Sequence, residues 1–152
     1  MAPLSGRGSK SVDFLIRRSR DSEQVLWLLE AKASSPHPGG VGEDDSRADR
    51  FHQWISELVE KFTHTAEVLL AVEARTPRHA LNASPDGFDQ ADLGARWVAV
   101  VVVPKHRPEW LPPIRDRLRK DLRAVGSRLG LEVEPMVLNG ALAARLNLGD
   151  LP

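Results

Sequence analysis

Three residues in the first third of the chain have the types and spacing of a reactive centre. They are Asp13 in SVDFLIRR, then Glu30 and Lys32 in VLWLLEAKAS. Glu30 and Lys32 stand two apart on a stretch that reads as a buried strand, so their side chains share a face. Burying an ionised group without a partner costs several kcal/mol. Charges at the end of such a strand therefore either mark where it surfaces as a solvated ion pair, or act on something. If residues 11–34 fold as a β-hairpin with Asp13 opposite Glu30, the turn is centred between Asp21 and Ser22. That is the middle of the wholly polar SRDSEQ. Turn chemistry and carboxylate pairing thus agree on one register. Directly opposed residues have Cβ atoms ~4.5–5.5 Å apart, so two carboxylates and an ammonium converge, and opposed like charges repel. A divalent cation relieves the repulsion. Mg²⁺ takes oxygen ligands, often one or two carboxylates with water and a substrate phosphate.

An acid followed across a hairpin by Glu-x-Lys resembles the PD-(D/E)XK, or restriction-endonuclease-like, nuclease superfamily. VDFLI with Asp13 and LLEAK with Glu30 and Lys32 carry the resemblance, and the order of elements extends it over roughly residues 9–138. The resemblance implies an α/β restriction-endonuclease-like core, a mixed central sheet that starts with a β-hairpin and is flanked by helices. It implies Asp13, Glu30 and the backbone carbonyl of Ala31 as ligands of Mg²⁺ or Mn²⁺. Lys32 would orient the attacking water or help to deprotonate it. The activity implied is hydrolysis of phosphodiester bonds in DNA, with RNA left open, in defence, repair or mobile-element processing. Gln53 is similar to the helix glutamine in the QxxxY of RecB-like nucleases and becomes an accessory candidate. Glu57 holds the tyrosine place in QWISE, and the chain has no tyrosine. Val12 stands where the family pattern has proline. Small nucleases of this kind often pair, which implies a homodimer or a larger defence or repair complex. The rival is a non-catalytic module of the same fold, used for protein assembly or nucleic-acid binding, since fold does not fix function.

The acid-x-Lys pattern occurs once in the chain. Alone it is a weak motif, and the register and element order give it weight. Other chemistries have less support. His37, His52, His64, His79 and His106 are scattered, and there is no HExxH, GxSxG, GxGxxG or P-loop pattern. With no cysteine, thiolate chemistry and disulfides are excluded. A reducing cytoplasm is the expected compartment.

The elements that must position these residues follow from periodicity. The 152 residues suit one domain, expected over 11–152 after a flexible start at 1–10. Residues 35–46, with two prolines and three glycines, read as a mobile loop. From Ala48 to about Glu73, Phe51, Trp54, Ile55, Leu58, Val59, Phe62, Ala66, Leu69 and Leu70 recur at spacings of three and four, one apolar helical stripe. Residues 76–95 form a long polar connection. RWVAVVVVP (96–104) lacks polar alternation, the mark of a strand buried on both faces. A second helix is expected over 108–129. LEVEPMVL (131–138) is a last strand that Pro135 confines to an edge, and ALAARLNL is a short closing helix.

Net charge is zero, but it is unevenly spread: +4 over residues 1–20, −6 over 21–75 and +5 over 105–130. Basic segments flanking an acidic one suit a local anion-binding face. Arg17, Arg18, Arg115, Arg119, Lys120 and Arg123 are the expected phosphate contacts. No apolar run approaches the ~20 residues of a membrane span.

Overall fold

The computed structural model of the chain describes residues 2–3, 11–20, 23–37, 45–75 and 94–148. The central sheet has five strands in the order β1-β2-β3-β4-β5: Ala2–Pro3, Phe14–Arg20, Glu23–Ala31, Arg96–Val102 and Val133–Leu138. The first three are antiparallel neighbours, and β3, β4 and β5 run parallel, so the sheet is mixed. Helices α1 (Asp45–Arg75) and α2 (Leu111–Leu129) make the two crossovers, and α3 (Gly140–Arg145) follows β5.

β4 shows why its sequence has no alternation. Trp97, Ala99 and Val101 join the core under α1 and α2, with Leu26, Leu28, Ile55, Leu58, Ile114 and Leu118. Val98, Val100 and Val102 join the core on the other face, with Trp27, Leu29, Leu138 and Ala143. Each face of the strand is therefore covered, and every position from Trp97 to Val102 is apolar. β5 lies at the edge, where the missing N–H of Pro135 costs no ladder bond.

Boundaries shift for identifiable reasons. Pro108–Trp110 form a separate 3₁₀ turn, and α2 starts at Leu111. Pro112 and Pro113 fit there because first-turn N–H groups have no intrahelical partner. Gly130, at φ 69°, ends α2 in the left-handed conformation. The helix expected from Ala48 begins at Asp45 and reaches Arg75. In the stretch expected to be a flexible start, Ala2 pairs with Leu15 and Pro3 with Phe14. The loop expected over 35–46 is described only at its two ends, and 76–93 of the long connection lie outside the described residues. Among the described residues, no helix is long and apolar enough to cross a membrane.

Candidate active site

The hairpin has the register expected from its polar centre. β2 and β3 pair from Arg20↔Glu23 to Phe14↔Leu29, and Asp13 and Glu30 are the next residues beyond the last pair. The backbone ladder stops there and a side chain continues it. Asp13 Oδ2 accepts the Ala31 N–H at 2.9 Å. Lys32 N–H goes the other way, to Val102 O on β4 at 2.9 Å. The N–H and C=O of an extended residue leave the same side of the strand, so the Ala31 carbonyl opens toward Asp13. The segment before β2 is tied to α1. Val12 N–H donates to Thr65 Oγ1 at 3.0 Å, and the Thr65 hydroxyl donates to Lys61 O at 2.8 Å.

Glu30 is only 1 % exposed. It shares the parity of Leu26 and Leu28, so its carboxylate enters the core under α1. Two ammonium groups meet one of its oxygens: Lys32 Nζ lies 2.9 Å and Lys61 Nζ 2.6 Å from Oε1. Both lysine side chains keep about a quarter of their surface in solvent, so only the carboxylate is fully desolvated. This excludes the solvated ion pair at a surfacing strand end. Glu30 Oε2 is buried with no hydrogen-bond partner. A buried carboxylate oxygen without a donor is costly.

Lys61 was not legible as a site residue because it lies 31 residues from Glu30 on another element. A signal was present nonetheless. Lys61 follows Leu58 by three and Trp54 by seven, so it borders the apolar stripe, where a lysine can lay its stem on the core and hold its ammonium at the rim.

The oxygen donors at this end of the hairpin are the Asp13 and Glu30 carboxylates and the Ala31 carbonyl, and Glu30 Oε2 has no hydrogen-bond partner. Among the described residues, no group of three or more His, Cys, Asp or Glu side chains could hold a metal. A cation here would therefore rest on two acids, within the usual requirement of Mg²⁺. Compared with family profiles, curated proteins and solved structures, the chain matches none.

The remaining candidates are dispersed. Gln53 is exposed on α1 and donates to Glu57 Oε1 at 3.3 Å, the neighbour one turn on. Arg17 and Arg18 alternate across β2. Arg17 faces the side of α1 and α2, opposite Leu26. Arg18 lies on the other face, its guanidinium 4.6 Å from the centroid of Trp27 and donating to Leu146 O at 2.7 Å. It helps to hold α3 to the sheet. Arg115 and Arg119 both pair with Asp116, at 3.2 and 3.5 Å. Lys120 and Arg123 are exposed farther along α2. Arg119 and Arg123 line a cleft with Gly126, Val133 and Glu134, at the end of the sheet where β5 begins. β3 runs parallel to β5 through β4 and delivers Glu30 at the opposite end. These arginines and the carboxylates therefore do not form one continuous surface.

Beyond Lys32 the chain is pinned to the exit of β4. Ser35 Oγ lies 2.6 Å from His106 Nε2 and donates to Pro36 O at 3.2 Å. Trp110 receives His37 and His106 edge-on, at 5.0 and 5.2 Å. Both hydroxyl contacts are satisfied when Nε2 carries the hydrogen and donates to Ser35. In that arrangement His106 donates to Ser35 and does not accept its proton.

Burial, and secondarily His37, hold the His106 imidazole below its ordinary 6.5. The folded state thus resists protonation that the unfolded chain accepts, so stability is full above pH 6.5 and falls as pH drops through the lowered value. The melting temperature of His106→Gln should decline less between pH 7 and pH 5 than that of wild type. Parallel profiles would assign the acid sensitivity to other groups.

Proposed function

We propose that the chain is a metal-dependent phosphodiester hydrolase acting on DNA, with the centre at Asp13, Glu30 and Lys32. The observation that carries this reading is Glu30. It is a desolvated carboxylate at the end of a central strand, with two ammonium groups on one oxygen and no hydrogen-bond partner on the other, and Asp13 lies one residue past the ladder on the neighbouring strand. Asp13, Glu30 and the Ala31 carbonyl would hold Mg²⁺ or Mn²⁺. The ion supplies charge neutralisation at a phosphate and lowers the pKa of water.

The chain's own groups do the rest. The two carboxylates and two ammoniums balance, so a bound divalent ion leaves the centre with a net positive charge suited to a phosphate. Lys61 fixes the orientation of Glu30 from below. Lys32, partly exposed, can reach beyond Glu30 to the substrate. There it positions the attacking water and stabilises charge that grows on the phosphate oxygens. Water oxygen bonds to phosphorus, one P–O ester bond breaks, and the water proton ends on solvent or on the leaving alkoxide. Defence, repair or mobile-element processing are the settings in which such an activity would serve.

The same triad gives the rival reading its support. Lys32 and Lys61 already compensate Glu30, as in a module whose buried ion cluster only fixes the fold. Metal-dependent stability separates the two. If the carboxylates are held for a cation, Mn²⁺ should raise the melting temperature by mass action. Asp13→Asn should remove that gain while keeping metal-free stability, because Asn Oδ1 can still accept the Ala31 N–H. A structural module predicts no Mn²⁺ effect. Activity itself is read on gels, with plasmid and single-stranded DNA in Mg²⁺ or Mn²⁺. Intact DNA and RNA with both metals would hand the chain to the module reading.

A further inference from the structure

We propose that the cleft beside Lys32 binds the phosphorylated end of a nucleic-acid strand. This rests on the phosphodiester reading for its substrate class and narrows it to strand ends. The cleft holds about 630 Å³ and is lined by Lys32, Ser35, His37, Arg47, Arg50 and Trp54 among others, with no Asp or Glu in its described lining. That volume suits a small ligand, such as one nucleotide, and is too small for a duplex.

Three features select a terminal phosphate. Arg47, Arg50 and Trp54 follow one another at spacings of three and four on α1, so two guanidiniums and an indole lie along one helix edge. Guanidinium forks match phosphate oxygens in pairs, and an indole face accepts a base without regard to its identity. Lys32 is already paired with Glu30, but Arg47 and Arg50 still place two positive charges on the cleft, where an internal diester carries one negative charge. A phosphomonoester carries roughly −1.5 to −2 at pH 7. Finally, one wall is braced from behind: Ser35 Oγ contacts His106 at 2.6 Å, and His37 meets Trp110 edge-on.

Lys32 belongs both to this cleft and to the Glu30 cluster. A terminal nucleotide seated in the cleft puts its adjoining ester on the Glu30 side of Lys32. The bond at risk is then the one next to the end.

Fluorescence anisotropy in EDTA tests binding apart from cleavage. The probes are internally labelled dodecathymidylates with a 5′-phosphate, a 3′-phosphate or hydroxyls at both ends. One phosphorylated form should bind about 10-fold more tightly than the hydroxyl form, the effect of about one charge-assisted hydrogen bond, and which one identifies the end. Arg47→Ala/Arg50→Ala removes exposed side chains and should reduce the advantage below about 2-fold with an unchanged melting temperature. Equal affinity for the three probes, or an advantage that survives in the double variant, overturns the proposal. End discrimination without cleavage in Mg²⁺ or Mn²⁺ would remove the hydrolase reading and keep the cleft. Cleavage of circular single-stranded DNA without end discrimination would do the reverse.

Discussion

Lys32→Ala is expected to slow DNA cleavage by about 10²–10³-fold, roughly 3–4 kcal/mol, the usual cost of removing one preorganised polar group at a reacting centre. The Mn²⁺-induced rise in melting temperature should survive in the same variant. Protonated lysine cannot ligate a cation, and Glu30 keeps Lys61 at 2.6 Å when Lys32 is gone. The combination is what separates a transition-state role from a structural one. A lysine that only neutralised Glu30 would alter stability and cation affinity and leave the cleavage rate per bound cation unchanged. Single-turnover cleavage with saturating Mn²⁺, beside thermal melts, measures both. If Lys32→Ala cuts at the wild-type rate, the activity belongs to other residues.

What the sequence disclosed follows from how local each determinant is. The hairpin register was legible because two independent local constraints, the polar turn and the placement of Asp13 against Glu30, converged on one centre, and a slip of one residue would have turned Trp27 and Leu28 to the wrong faces. The unalternating β4 and the stripe of α1 were legible for the same reason, since each pattern is written within the element. Lys61, Thr65 and Ser35 were not, because their partners Glu30, Val12 and His106 are brought to them only by the crossovers. Arginines misled in a related way. Arg17 and Arg18 are neighbours in a basic segment, but strand parity puts them on opposite faces, and Arg18 is spent on Trp27 and Leu146. Segment charge counts cations without their directions, so it overstates a surface that alternation divides.

Lys61→Met should be the most destabilising single change at the centre that leaves its carboxylates intact. Methionine keeps the length and apolar stem of lysine, so packing on α1 is nearly conserved and the loss is electrostatic. Removing a partner from a buried ion pair costs 3–5 kcal/mol, and a hydrogen bond to a charged group contributes about 1.5–3 kcal/mol. Lys32 remains on Glu30, and the Lys61 side chain is 22 % exposed, which favours the lower part of that range, about 2–3 kcal/mol. At roughly 2–4 °C per kcal/mol for a chain of this size, the melting temperature should fall by about 5–10 °C. Glu30→Leu/Lys61→Met removes the desolvated charge as well and should be more stable than Lys61→Met alone, a coupling that a double-mutant cycle reads directly. Additive effects would mean that Glu30 does not depend on Lys61. The cation gives the sharper contrast. With one ammonium removed, Glu30 is left with more uncompensated charge, so the Mn²⁺-induced rise in melting temperature should be larger in Lys61→Met than in wild type. In Asp13→Asn/Lys61→Met, which lacks the second acid, it should shrink again. A centre built only to hold the fold would show the loss of stability and no response to Mn²⁺ in any of these variants.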